Sequence, residues 1–192
     1  MSRRENAHRR SSKPRLDAKP RILVICCGER TEKQYLEGFR RQFTVSTVRV
    51  RPKVGSPAQL VGYARKVRDN DPGGFDEVWC VVDVDEFQVD EAVAAARKAG
   101  ISLAISNPCF EVWLLLHLAD WRQWFDGPAA VIAALRRHLD CYDKVKLDFA
   151  AFADHVTTAV QRARKLDPTG EDHTCNPSTG VWRLVARVLG EC

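Results

Sequence analysis

Asp83 and Asp85 stand two residues apart at the end of an apolar run, in the stretch DEVWCVVDVDEF spanning residues 76–87. In an extended chain their side chains leave the same face with Cα atoms roughly 7 Å apart, close enough to share a hard cation. Oxygen-only ligation suits Mg²⁺ or Mn²⁺, ions that keep water ligands and share phosphate oxygens with a substrate. The competing reading is a solvated strand end that offers negative charge to the helix behind it. Glu29 and Glu32 follow another apolar run, RILVICC at residues 21–27. They read either as further acids of the same site or as first-turn acids favoured by the helix dipole. Arg30, between them, is a phosphate contact or an ordinary surface arginine. Glu111 lies amid Phe110, Val112 and Trp113; a carboxylate buried there needs a metal or a cationic partner, an arginine being the simplest. His117 reads as a helix-end histidine rather than a ligand, Lys144 and Lys146 as a solvated loop or as contacts to a phosphate backbone, and His173 with Cys175 as too sparse a set for zinc.

The elements that must position these residues alternate. Continuous apolar runs at Arg21–Cys27 and Val78–Val82 have the character of strands buried on both faces. Ser46–Arg51 alternates valine with polar residues as a more exposed strand, and Ile101–Ile105 makes a fourth. Between them, Tyr35, Leu36, Phe39 and Phe43 fall at helical spacing behind a capping box predicted from Thr31 and Gln34. Ser56 and Pro57 open a second helix as N-cap and N1, and Glu91–Ala99 is a third. Four strands alternating with helices predict an α/β fold with a mainly parallel four-stranded sheet flanked by helices. In such sheets ligands gather beyond the carboxyl ends of the strands, where Asp83 and Asp85 fall.

From residue 107 the pattern turns helical. Asn107 and Pro108 are expected to open one helix as N-cap and N1, and Asn176 with Pro177 to open the last, Val181–Leu189. Gly127–Leu139 and about Leu147–Leu166 read as single helices between, with Trp121, Trp124 and Phe125 packing the join. The expected organisation is a disordered basic tail over residues 1–20, an α/β core over 21–106, and a helical portion over 107–192 packed on the core.

Charge separates the tail from the body. Residues 1–20 carry seven basic against two acidic residues, so the net +5 of the 192-residue chain resides there and the remainder is neutral. Arg3, Arg4, Arg9 and Arg10 are candidate phosphate contacts of a nucleic-acid arm; the alternative is a solubilising end. No apolar run approaches the roughly 20 residues of a membrane span. The N-terminus has charge but no apolar segment behind it, which predicts a cytoplasmic protein. Seven cysteines without a Cys-x-x-Cys suggest neither a disulfide framework nor a zinc ribbon. The absence of a Walker loop predicts no nucleotide hydrolysis by the chain unaided.

Three fragments in this order, ICCGERTEKQYLEGF, VWCVVDVDEF and SNPCFEVWLLLH, together with NPSTGVWRLV, resemble the RloB-like proteins. This bacterial family is tied to phage-defence and abortive-infection loci, and its core is similar to the Toprim fold. The resemblance implies a Toprim-like core and a divalent-metal-dependent nuclease, cutting DNA or RNA, or a subunit of one. It implies Mg²⁺ or Mn²⁺ on the aspartates matched by Asp83 and Asp85, and an ABC/AAA-type ATPase as partner. A homo-oligomer is a further expectation. The family pattern C-E-G-E-x-T-E carries its catalytic glutamate where this chain has Cys27, a soft ligand poorly suited to Mg²⁺. Glu29, Glu32 and Glu111 are the carboxylates left to complete the catalytic set. The alternative is a catalytically inactive module that binds nucleic acid or a partner.

Overall fold

The structure, a computed structural model, describes residues 19–28, 30–45, 47–84, 89–140 and 142–191. Among these, β1 (Ile22–Cys26), β2 (Val48–Pro52), β3 (Glu77–Asp83), β4 (Ser102–Asn107) and β5 (Ser178–Thr179) form one sheet in the order β2-β1-β3-β4-β5. The first four strands are parallel, and β5 runs antiparallel to β4 through Ser106–Thr179 and Asn107–Ser178. A sheet of four strands was expected; the fifth comes from the C-terminal segment, and at two residues it is too short to leave a strand signature in the sequence.

The apolar runs explain the layering. Along β1, Ile22, Val24 and Cys26 face one core while Leu23 and Ile25 face the other, and β3 divides Trp79 and Val81 from Val78, Cys80 and Val82 in the same way. Period-two alternation with both faces apolar is what a strand covered on both sides requires. On one side lie α2 (Pro57–Asp69) and α3 (Asp90–Ala99). On the other, α1 (Thr31–Gln42) joins α4 (Glu111–Leu118), α5 (Pro128–Arg136), α6 (Ala150–Ala153), α7 (Val156–Leu166) and α8 (Val181–Leu189). Helix α4 is apolar all round, and its residues from Glu111 to His117 are all buried, as a helix enclosed by others must be.

Several local readings need correction. Ser56 and Pro57 do open α2, and Gln59 completes a capping box with Ser56. Thr31 and Gln34 form no such box: Arg30 is the α1 N-cap, with no side-chain cap. Asn107 ends β4 instead of capping α4, which begins at Glu111. Its Nδ2 donates to the His173 carbonyl at 2.8 Å. Asn176 likewise leaves the capping position to Gly180; its side chain accepts from Phe125 N–H and donates to the Phe125 carbonyl. Both asparagine side chains are thus spent on tying distant segments together. The stretch 147–166 is two helices, because residues 154 and 155 turn between α6 and α7. At the join, Trp121 stacks on Phe125 with centroids 5.1 Å apart, while Trp124 is exposed. No helix among the described residues is long and apolar enough to cross a membrane.

Candidate functional site

Strand β1 is flanked by β2 on one side and β3 on the other, so the chain reverses its direction of winding between β1 and β3. Beyond the carboxyl ends of these strands, where such a reversal opens a crevice, lies a cleft of about 400 Å³. Three carboxylates from three separate elements line it: Glu32 from the first turn of α1, Asp83 from the end of β3, and Glu111 from the start of α4. Arg30 and Lys144 line the same space. Two helix N-termini therefore open on the cleft, each bringing the partial positive charge of its dipole.

Glu32 is buried, and its carboxylate folds back over the turn that follows β1. A Cβ added at Gly28 would fall inside it, so the absence of a side chain there is what admits the carboxylate. Burial pushes the Glu32 carboxyl above its ordinary range and the nearby Glu111 charge adds to this, against the amides of Glu32 and Gly28 that favour the anion. Glu111 is only 3% exposed. Its Oε1 accepts from the Tyr142 hydroxyl at 3.0 Å and pairs with Lys144 Nζ at 2.8 Å. Burial alone would raise its pKa, but the Lys144 ammonium and the Cys109 thiol outweigh this and hold it below the ordinary value. The cationic partner is thus a lysine from the loop read as solvated, not an arginine. That loop is tied down: Thr31 Oγ1 donates to the Lys144 carbonyl, Gln34 Nε2 to the Val145 carbonyl, and Leu147 N–H to Gln34 Oε1. No short sequence window could have marked Lys144, whose partners lie 33 and 113 positions away.

Cys27 does not line the cleft. Its thiol donates to the Gly55 carbonyl at 3.4 Å, and burial, with the charges of Glu32 and Asp83, raises its pKa, so it stays protonated. His117 is the helix-end histidine expected, in the last turn of α4. It is buried among aromatic rings, its ring nitrogens meeting the Tyr35 hydroxyl at 3.0 Å and the Trp113 carbonyl at 2.8 Å. Asp85, Glu29, Arg3, Arg4, Arg9 and Arg10 lie outside the described residues. His173, apart from the cleft, pairs with Asp90.

Among the described residues, no three His, Cys, Asp or Glu side chains come together as a ready-made metal cage. The donors that line the cleft are nonetheless hard oxygens, and Mg²⁺ is commonly held by one or two carboxylates with water completing its shell. The donor chemistry fits a loosely held, hydrated divalent ion and does not fit zinc.

A family model described as RloB-like protein matches residues 22–188. No curated protein and no solved structure matches the chain.

Proposed function

The chain belongs to the RloB-like family, and from that premise we propose that it is a divalent-metal-dependent nuclease with a Toprim-like core, or the nuclease subunit of a phage-defence system. The observation that carries this reading is the convergence of Glu32, Asp83 and Glu111 with Arg30 and Lys144 on one cleft at the carboxyl end of a parallel sheet. A phosphodiester is an anion, and the two helix N-termini and two cationic side chains favour it there. Mg²⁺ or Mn²⁺, held by Asp83 with Asp85, would neutralise non-bridging phosphate oxygens and ease deprotonation of a water.

The protein's own groups account for the remaining steps. Glu32, whose pKa burial raises, is suited to accept the proton of the attacking water. As the water oxygen bonds to phosphorus, the bond from phosphorus to the leaving oxygen breaks, and that oxygen takes a proton from solvent. Glu32 thereby serves in place of the carboxylate missing at Cys27. Arg30 orients the phosphate. The basic tail raises affinity for nucleic acid, and an ABC/AAA-type ATPase or a second copy of the chain would assemble with it.

The test is incubation of labelled DNA and RNA with Mg²⁺ or Mn²⁺ beside Asp83→Asn, Glu32→Gln and Cys27→Glu variants. Cleavage abolished in Asp83→Asn and cut by roughly 10²–10⁴ in Glu32→Gln is expected. Cleavage appearing only in Cys27→Glu would replace this reading with that of an inactive binding module, which the protonated Cys27 thiol favours.

A further inference from the structure

Lys144 is held as few lysines on a connecting loop are. Its side chain is half exposed, yet its ammonium lies 2.8 Å from Glu111 Oε1. Its carbonyl accepts from Thr31, and Gln34 binds the strap on its far side at Val145 and Leu147. Tyr142, two residues earlier, donates to the same Glu111 oxygen. The strap is therefore pinned to α1 and α4, the two helices whose first turns carry Glu32 and Glu111. A lysine placed only for solubility needs none of this, because exposed ion pairs contribute little.

We propose that Lys144 is the resident second cation of the cleft: it neutralises Glu111 before substrate arrives, then turns its ammonium to a non-bridging phosphate oxygen, so the site takes one divalent ion rather than two. The inference rests on the nuclease reading. Charge supports it. With Glu32, Asp83 and Glu111 ionised, Arg30 and Lys144 leave the described lining one charge negative. A single divalent ion makes it one charge positive, the complement of a phosphodiester, whereas the same ion without Lys144 would only bring the cleft to neutrality. A lysine suits the task because its ammonium is a compact charge with three donors on a flexible stem, able to change partners without moving the backbone.

The test counts ions. Purified full-length protein is titrated with Mn²⁺ alone, by calorimetry and by the electron paramagnetic resonance of the free ion, for wild type, Lys144→Met, Lys144→Arg and the double variant Lys144→Met/Glu111→Gln. The expected count is one in wild type and in Lys144→Arg, and two in Lys144→Met, where Glu111 is released to act as a ligand. It returns to one in the double variant, where position 111 carries no charge to be left unpaired, and which so guards against a count distorted by misfolding. Cleavage in Lys144→Met is expected to fall by about 100-fold, the loss typical of one donor to developing charge, and Lys144→Arg to recover most of it. A count of one in a folded Lys144→Met protein overturns the role of Lys144 and leaves the nuclease reading standing. A wild type that takes no ion removes both.

Discussion

Glu32 reaches the cleft by turning back over Gly28, and this one contact separates an acid that can serve the site from one that only decorates a helix end. Gly28 is not among the glycines with positive φ, so alanine is compatible with its backbone; what alanine displaces is the Glu32 carboxylate. Gly28→Ala is therefore expected to lower cleavage about as far as Glu32→Gln, roughly 10²-fold or more, with its melting midpoint nearly unchanged. Equal rates in Gly28→Ala and wild type would show that the position of Glu32 is irrelevant. The raised pKa of Glu32 has two consequences of opposite sign. Below it the carboxyl is protonated and cannot accept a proton, so the acidic limb of kcat/KM should lie above the ordinary carboxylate range and disappear in Glu32→Gln. Above it the folded state carries a charge that burial penalises, so stability declines as pH rises through the raised pKa. Thermal melts should accordingly find Glu32→Gln more stable than wild type at pH 7, with the difference closing near pH 4. The family pattern drew attention to the missing carboxylate at Cys27, and Glu32 was among the replacements. What the sequence could not reveal is the direction its side chain takes, which depends on packing around the turn.

At the level of elements, legibility followed the range of the interaction. Strands β1 and β3 were readable because burial on both faces leaves a run of consecutive apolar residues, and α2 because Ser56 and Pro57 act within their own turn. That local cap yields a matching prediction: Ser56→Ala should cost about 1 kcal/mol in denaturant titration, without altering the slope. Thr31 and Gln34 have the same spacing and chemistry as a capping box, yet both side chains are committed to a strap more than a hundred positions away. Asn107 and Asn176 misled in the same manner, since an asparagine before a proline looks like a helix start whether or not its amide is engaged elsewhere. The strap itself gives a prediction. Gln34→Ala removes its two hydrogen bonds at Val145 and Leu147, so trypsin should cut at Lys144 or Lys146 several times faster than in wild type, and cleavage of nucleic acid should weaken by about ten-fold. Unchanged nicking would mean that the remaining Thr31 and Glu111 contacts suffice to hold the strap.

Across the whole molecule, the segment after residue 106 is not an annex that can be removed. Side chains from β1, β3 and α1 share one core with those from α4 to α8, and β5 closes against β4. Unfolding followed by tryptophan fluorescence and by far-ultraviolet circular dichroism should thus trace a single coincident transition. The centre of this shared core also holds a titratable group. His117 is enclosed by Tyr35, Trp113 and Phe152, and burial presses its pKa from 6.5 down to about 3. The unfolded chain binds a proton at this residue below about pH 6.5 while the folded chain refuses it until about pH 3, so stability falls as the solution is acidified through that interval. The slope from this one residue approaches roughly 1.4 kcal/mol per pH unit. Glu32 gains stability on protonation as the pH falls through its raised pKa and so works against this loss; the part of the decline that belongs to His117 is the part its substitution removes. His117→Gln keeps a donor and an acceptor for Tyr35 and the Trp113 carbonyl but has no proton to gain. Melting midpoints measured from pH 7 to pH 5 should fall in wild type and stay nearly level in the variant; parallel declines would assign the acid sensitivity to some other group.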